Sequence, residues 1–397
     1  MKSILLAGCA AAIGLALCPA ARADNQMAAT IKSLPPALSV LYEAAPQAIQ
    51  PSAYDNFTPP PKPWKWCHSE SYQGNPWRVA VTNELRRLVQ KLIDKGIVSS
   101  FEVSDSNGDV SQQINQIRTF IDKNCTIITS VAGSTTALND AIAAAYKAGI
   151  PYVTAAGSVT SPDAINVDSN YARWGYDMIK DIATDLHGKG RVLMVEGIAG
   201  NPIVAQERAG ADAALKEEPG LKVVRSVNGN WTANVTKTVV FQTLATNPSP
   251  IDAVWTTGSE SRVIAEAFAQ AGRPAPLITG SITGDALGYW KAHPNRYRFD
   301  GNAVLPGWTA QTLFRVGVRI LMGEQPKLNT LMIPIPVVHG SDLAAWYQPC
   351  MTPDSVSVFP VPPKDPFPDS LMDAYFAKPA PVPTYSYADV PPACAGH

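Results

Sequence analysis

Two short stretches carry side chains suited to holding a polar, ring-bearing molecule. The first is Glu70-Ser71-Tyr-Gln-Gly-Asn75-Pro76-Trp77-Arg78, which places a hydroxyl, an amide, an indole face and a guanidinium within a few residues. An Asn side chain offers two donors and an acceptor to hydroxyl groups, and a Trp face offers apolar stacking with some attraction for cations. The second runs from Arg208 to Trp231, with Ser259 and Glu260 further on. Asp168 and Trp308 stand apart from both. This chemistry is recognition rather than turnover. No GxSxG elbow, P-loop, GxGxxG or HExxH occurs. His68 beside Ser69 and Glu70 is the one catalytic-looking constellation, and neighbours on a strand point to opposite faces, so His68 and Ser69 are not expected to pair.

Such side chains need elements to carry them. In Arg191–Leu215 the apolar run Val192–Val195 breaks at Gly197-Ile-Ala-Gly200, after which Val204, Arg208 and Ala211 recur at helical spacing. Asn201 can cap the first turn and Pro202 suits the first helical position, so the pattern is strand, glycine turn, helix. Polar ligands often bind at such turns, although every α/β protein has several. Upstream, Trp64–Ser69, Val98–Val103, Thr126–Val131 and Ile150–Ala155 read as strands alternating with helices, the first helix facing inward through Val81, Leu85, Leu88 and Leu92. A helix from about Tyr171 leads into a second series through the strands Leu221–Val227, Ile251–Thr256 and Leu277–Thr279. Arg298–Leu305 and Leu331–Val338 are expected to be single strands, with a helix at Thr309–Met322 between them. The fold class predicted is α/β, with two doubly wound parallel-sheet lobes.

The chain has 397 residues, 46% apolar, with a net charge of −1 and no basic run. That composition permits two lobes and argues against nucleic acid or an anionic membrane surface as the main partner. Residues 1–23 read as a secretory signal with Lys2 at its start and Ala21-Arg-Ala23 before the cleavage point. The lipoprotein-like Leu6-Ala-Gly-Cys9 is the weaker alternative. Residues 24–63 are proline-rich and are expected to form an extended leader with at most one short helix, at Met27–Leu41. Residues 341–397 are again proline-rich, an irregular tail. Beyond the signal, Cys67, Cys125, Cys350 and Cys394 permit three pairings or free thiols, and their positions favour Cys67 with Cys125 and Cys350 with Cys394.

From about Trp64 to Val338 the chain resembles the type I periplasmic binding proteins of ABC importers, in the ribose-binding-like branch. The likeness is carried by Asn75-Pro76-Trp77 after the first strand, Gly149-Ile-Pro-Tyr-Val-Thr154, and Val195-Glu-Gly-Ile-Ala-Gly200 followed by Glu207-Arg208. Pro250-Ile-Asp-Ala-Val254 and Ala271-Gly-Arg273 complete it. The resemblance implies an N-terminal lobe of 64–167 plus 305–333, a C-terminal lobe of 168–304 plus 334–340, and crossings near Val167–Ser169, Leu305 and Ile333. It implies a ligand held between the lobes by Ser71, Asn75, Trp77 and Arg78 on one side, by Arg208, Trp231 and Glu260 on the other, and by Asp168 and Trp308 near the crossings. Its partners would be a small-molecule solute and the membrane permease of an importer, the protein being a periplasmic monomer without cofactor, metal or catalysis. A ligand-presenting sensor, or an enzyme on the same scaffold, are the alternatives. Where sugar-binding relatives carry an Asp-Arg pair this chain has Ala156-Gly157, and Val131, Gly258 and Ser281 or Ile282 replace other polar contacts. Those losses, with three tryptophans available, predict a larger, flatter or less hydroxylated solute than a pentose or hexose.

Overall fold

The computed structural model describes residues 19–294, 297–302 and 304–395. The expected signal lies outside them as far as Cys18. Five strands, β1 (Trp64–Glu70), β2 (Val98–Asp105), β3 (Ile127–Val131), β4 (Tyr152–Ala155) and β5 (Ala164–Asp168), alternate with helices α3 (Pro76–Ile93), α4 (Val110–Asp122) and α5 (Asn139–Lys147). Ahead of them, α1 (Pro19–Ser33) and α2 (Pro36–Ser39) occupy the leader. The second series has β6 (Gly190–Glu196), β7 (Leu221–Asn228), β8 (Ala253–Thr256), β9 (Leu277–Ile278), β10 (Arg298–Phe299) and β11 (Gly301–Asn302). Its helices are α6 (Tyr171–Asp185), α7 (Pro202–Glu217), α8 (Ala233–Thr246), α9 (Ser261–Gln270) and α10 (Gly284–Ala292). Helix α11 (Pro306–Leu321) and strands β12 (Thr330–Met332) and β13 (Val337–Val338) follow.

One six-stranded sheet has the order β12-β5-β4-β3-β1-β2 and one five-stranded sheet the order β10-β9-β8-β6-β7. Every pairing in both is parallel. Helices cover both faces, so central strands such as β3 are buried along their whole length, as an all-parallel sheet requires. The chain leaves the first sheet after β5, returns to it through α11 and leaves again after β12. The two expected long strands are each broken. Asp300 separates β10 from β11, and Pro334 and Pro336 interrupt the ladder between β12 and β13, since proline has no N–H to donate. The second pieces pair with each other instead, as a short antiparallel ribbon between Gly301–Asn302 and Val337–Val338.

Both terminal segments depart from loose extensions. Helix α1 begins before the leader proper, and Leu34, Leu38 and Tyr54 are buried against the first lobe. Tyr42 donates to Thr330 O at 2.7 Å, and Asn170 reaches back to the carbonyls of Leu41 and Glu43 at 3.0 and 2.9 Å. The leader therefore clasps the region where the chain crosses between sheets. The tail has only short turns of helix, but it covers the outer face of α11, which is why Arg315 and Arg319 are 1% and 0% exposed. Their guanidinium groups meet Asp369 at 2.5 and 3.0 Å, and Arg319 also meets Asp373 at 2.7 Å. The cysteines pair as Cys67–Cys125 and Cys350–Cys394.

Candidate functional site

A cleft of about 410 Å³ opens between the carboxyl ends of the two sheets, where doubly wound folds place their ligands. The start of α3 (Asn75–Arg78) and Ala156 after β4 form one wall. The other is built from Tyr171 and Trp174 of α6, Glu207 of α7, Trp231 after β7, Thr257–Glu260 after β8, and Ser281 and Asp285 around the start of α10. Val356 and Phe359 of the tail also line it. A smaller recess of about 10 Å³ continues toward the crossings, sharing Ala156, Tyr171 and Val304 and adding Asp168 and Trp308.

On the first wall, Asn75 caps α3 by accepting the backbone N–H of Arg78 at 2.9 Å. The turn so fixed aims Trp77 across the cleft, where its Nε1 donates to Val304 O at 2.9 Å on the second crossing. Arg78 turns inward to Glu70 Oε2 at 3.1 Å and Ser71 Oγ at 2.8 Å, and lies 5.1 Å over the Tyr72 ring. Ser71 does not line the cleft. It is 6% exposed beneath Arg78 and its hydroxyl is used in holding that guanidinium. His68 and Ser69 do not meet: His68 Nδ1 lies 3.0 Å from Thr129 Oγ1, while Ser69 Oγ donates to Gln116 at 3.4 Å on the other face of β1.

On the second wall, Trp231 is held in a backbone conformation that bulky residues rarely adopt. Asn230 and Trp231 have φ of 55° and 49°, both left-handed. The indole lies so close to Gly197 that a Cβ there would stand 2.3 Å from Trp231 Cε2. The space expected at Gly258 is likewise filled, since a Cβ there would meet Glu260 Oε2 at 1.9 Å and Trp231 Cδ1 at 2.9 Å. The small residues make room for the protein's own tryptophan and carboxylate, and strain is concentrated where the wall is built.

Arg208 does not line the cleft. Its guanidinium is taken by Glu196 at 2.7 Å, Asp212 at 2.8 Å and Ser226 at 3.1 Å on the flank of the sheet. Its neighbour Glu207 lines the cleft instead, 1% exposed and accepting from Thr257 Oγ1 at 2.7 Å. Burial pushes its carboxyl up to about 8, the Thr257 hydrogen bond pulling the other way. Burial also pushes Glu260 up to about 7. Near pH 7 both groups therefore carry their protons for much of the time and can donate as well as accept. The nearby Arg262 is engaged by Asp285 at 2.7 Å.

In the recess, Asp168 accepts from Ser158 Oγ, from Ser169 N at 2.9 Å and from Gln47 at 3.3 Å. Desolvation nonetheless raises its pKa above the ordinary carboxylate value. The indole N–H groups of Trp308 in the recess and Trp174 in the main cleft are buried with no hydrogen-bond partner among the described residues. The structure thus brings Asn75, Trp77, Arg78, Trp231 and Glu260 together around one cleft, with Asp168 and Trp308 at its inner end. It adds Glu207, Tyr171, Trp174 and Phe359 to them.

Two parallel α/β lobes, three crossings and a cleft between strand ends define a two-lobed solute-binding fold of the type I periplasmic class. Residues 69–294 match the periplasmic binding protein domain family, and the chain belongs to it. It is 26% identical over 179 residues to a xylitol-binding protein of Mycolicibacterium smegmatis, a stretch covering 45% of this chain and 51% of that protein. The match thus spans about half the length of the curated relative. An ABC transporter solute-binding protein of Thermobispora bispora has the same fold, with a TM-score of 0.65 and 24% identity over 75% of this chain and 90% of its own. So has one from Bacillus halodurans with bound myo-inositol, with a TM-score of 0.63 and 20% identity over 71% and 96%. A third, from Actinobacillus succinogenes with bound D-allose, has a TM-score of 0.60 and 19% identity over 71% and 100%.

Proposed function

We propose that the protein captures a small solute between its lobes in the periplasm and delivers it to the permease of an ABC importer, as a monomer and without catalysis. The observation that carries this reading is the cleft itself, with Trp77 on one wall and the strained Trp231 on the other. Aromatic faces on both walls can hold the flat side of one ligand, and a ligand touching both lobes stabilises the closed arrangement. Asn75 and Thr257 offer hydroxyl recognition, and Glu207 and Glu260 offer protonated carboxyls. The xylitol of the relative and the myo-inositol and D-allose of the solved structures make polyols and sugars the first compounds to try. In this reading residues 1–23 are a signal removed on export, the lobes divide as 64–167 plus 305–333 and 168–304 plus 334–340, and Ser71 and Arg208 support the walls without meeting the solute.

The test is a thermal-shift screen of the chain from Asp24 against xylitol, myo-inositol, D-allose, aromatic acids and aromatic alcohols. A ligand at about a hundred times its Kd adds roughly 2.7 kcal/mol of stability. The expected result is a hit whose binding is lost in Trp231→Ala and Trp77→Ala. Conversion of the hit into a product would overturn the reading, and so would binding that neither substitution alters.

A further inference from the structure

The tail's place in the cleft is not required by a two-lobed fold. Between Cys350 and Phe359 the chain lies on α10 of the second lobe. Gly284 N donates to Val358 O at 2.9 Å, and a Cβ on Gly288 would stand 2.2 Å from the Thr352 carbonyl carbon, so the tail sits directly on helix backbone. Ser355 closes a tight turn there, accepting from Thr352 N at 3.0 Å and donating to Cys350 O at 3.1 Å. Val358 is buried beneath this turn, and Val356 and half-buried Phe359 face the cleft.

From Pro360 onward the tail belongs to the first lobe. Arg315 of α11 donates to Phe367 O at 2.7 Å, Lys327 donates to Ala374 O at 2.8 Å, and Tyr375 donates to Met332 O at 2.6 Å. The chain then returns to Cys350 through the Cys350–Cys394 disulfide. Phe359 therefore sits at the point where the strap passes from one lobe to the other, held on both sides.

We propose that Phe359 is a specificity-determining residue: carried by the tail, it gives the solute cleft a third, apolar wall that selects ligands with a flat apolar face over fully hydroxylated ones. The proposal rests on the solute-capture reading above. With Trp77, Trp174, Tyr171 and Trp231 also lining the cleft, it adds an apolar side against which a compact ring system fits, and hydroxyls turned toward that side would lose their water without replacement. The carboxyl of Glu207 and the side chains of Thr257 and Glu260 supply the few polar contacts such a ligand needs.

The test uses the full mature chain and the neutral fluorescent ring compound N-phenyl-1-naphthylamine. Wild type is expected to bind it with a blue-shifted emission, Phe359→Ala to weaken binding about tenfold, and Phe359→Leu, which keeps an apolar wall, to stay within about threefold. Xylitol and myo-inositol, if they bind, should keep their affinities in Phe359→Ala. The control is Trp231→Ala, which should weaken the probe as well. Binding that Trp231→Ala weakens and Phe359→Ala does not would overturn the role of the tail while leaving solute capture standing. Failure of wild type to bind the probe would also overturn it, and the thermal-shift hits would then judge solute capture separately.

Discussion

Arg78 Nη1 lies 3.1 Å from Glu70 Oε2, so the carboxylate that ends β1 of the first lobe is neutralised by the first turn of the helix that follows it. Glu70 is fully buried and Arg78 is 20% exposed at the cleft wall. Removing the arginine leaves the buried carboxylate with only the imidazole of His68, 3.9 Å from Oε1, as an ionisable neighbour, and breaking a buried pair in this way costs more than the pair contributes. Arg78→Ala is expected to destabilise the protein by about 3 kcal/mol, and adding Glu70→Gln should recover most of that loss. Denaturant unfolding of the two single variants and the double variant checks this. Additive losses would mean that the two groups do not depend on each other.

Glu207 gives a pH dependence of definite sign. Its folded carboxyl is pushed up to about 8 by burial, whereas an unfolded Glu titrates near 4.3. Between those values the native state holds a proton that the unfolded state has released, so stability falls as pH rises through that window. Glu260, raised to about 7, acts in the same direction. Urea unfolding at about pH 5 and about pH 8 should show wild type losing stability, and Glu207→Gln losing distinctly less. A residual slope from Glu260 is expected in the variant. Equal slopes in the two proteins would show that Glu207 is not buried as a carboxyl in the folded state.

The choice between Glu207 and Arg208 shows where sequence reading stops. Asn201 was legible as a cap because a side-chain oxygen before a Pro-led helix has a local job, and it performs it; Asn75, read for its amide's value to a ligand, does the same local job at α3. Helix phase is less local. Val204, Ala211 and Ala214 are buried, and the same stripe runs through Glu207 rather than Arg208. The spacing to Ala214 held that signal, but a charged residue on an apolar face reads as a misfit until the cleft it faces is known. Trp231 was picked out through the family resemblance, and it lines the cleft. Its left-handed backbone and its fit against Gly197 depend on three segments meeting. The burial of Arg315 and Arg319 was invisible for the same kind of reason. Cationic residues on a helix imply a solvated face unless a distant acidic segment, here Asp365 to Asp373, folds back over it.

The two disulfides are expected to respond differently to reductant. Cys67 and Cys125 are 0% and 2% exposed within the first lobe, whereas Cys350 and Cys394 are half-buried at the surface. Thiol–disulfide exchange requires the attacking thiolate to reach a sulfur, so access decides the order. Mild dithiothreitol followed by iodoacetamide should label Cys350 and Cys394 while Cys67 and Cys125 remain joined, as peptide mass spectrometry would read. The tail bridge spans 44 residues of sequence, and on the chain-entropy account its loss costs about 4 kcal/mol. The strap keeps its ion pairs with α11, so the reduced protein should stay folded with a lower Tm. Labelling of Cys67 or Cys125 before the tail pair would mean that the first lobe opens more readily than the strap across it.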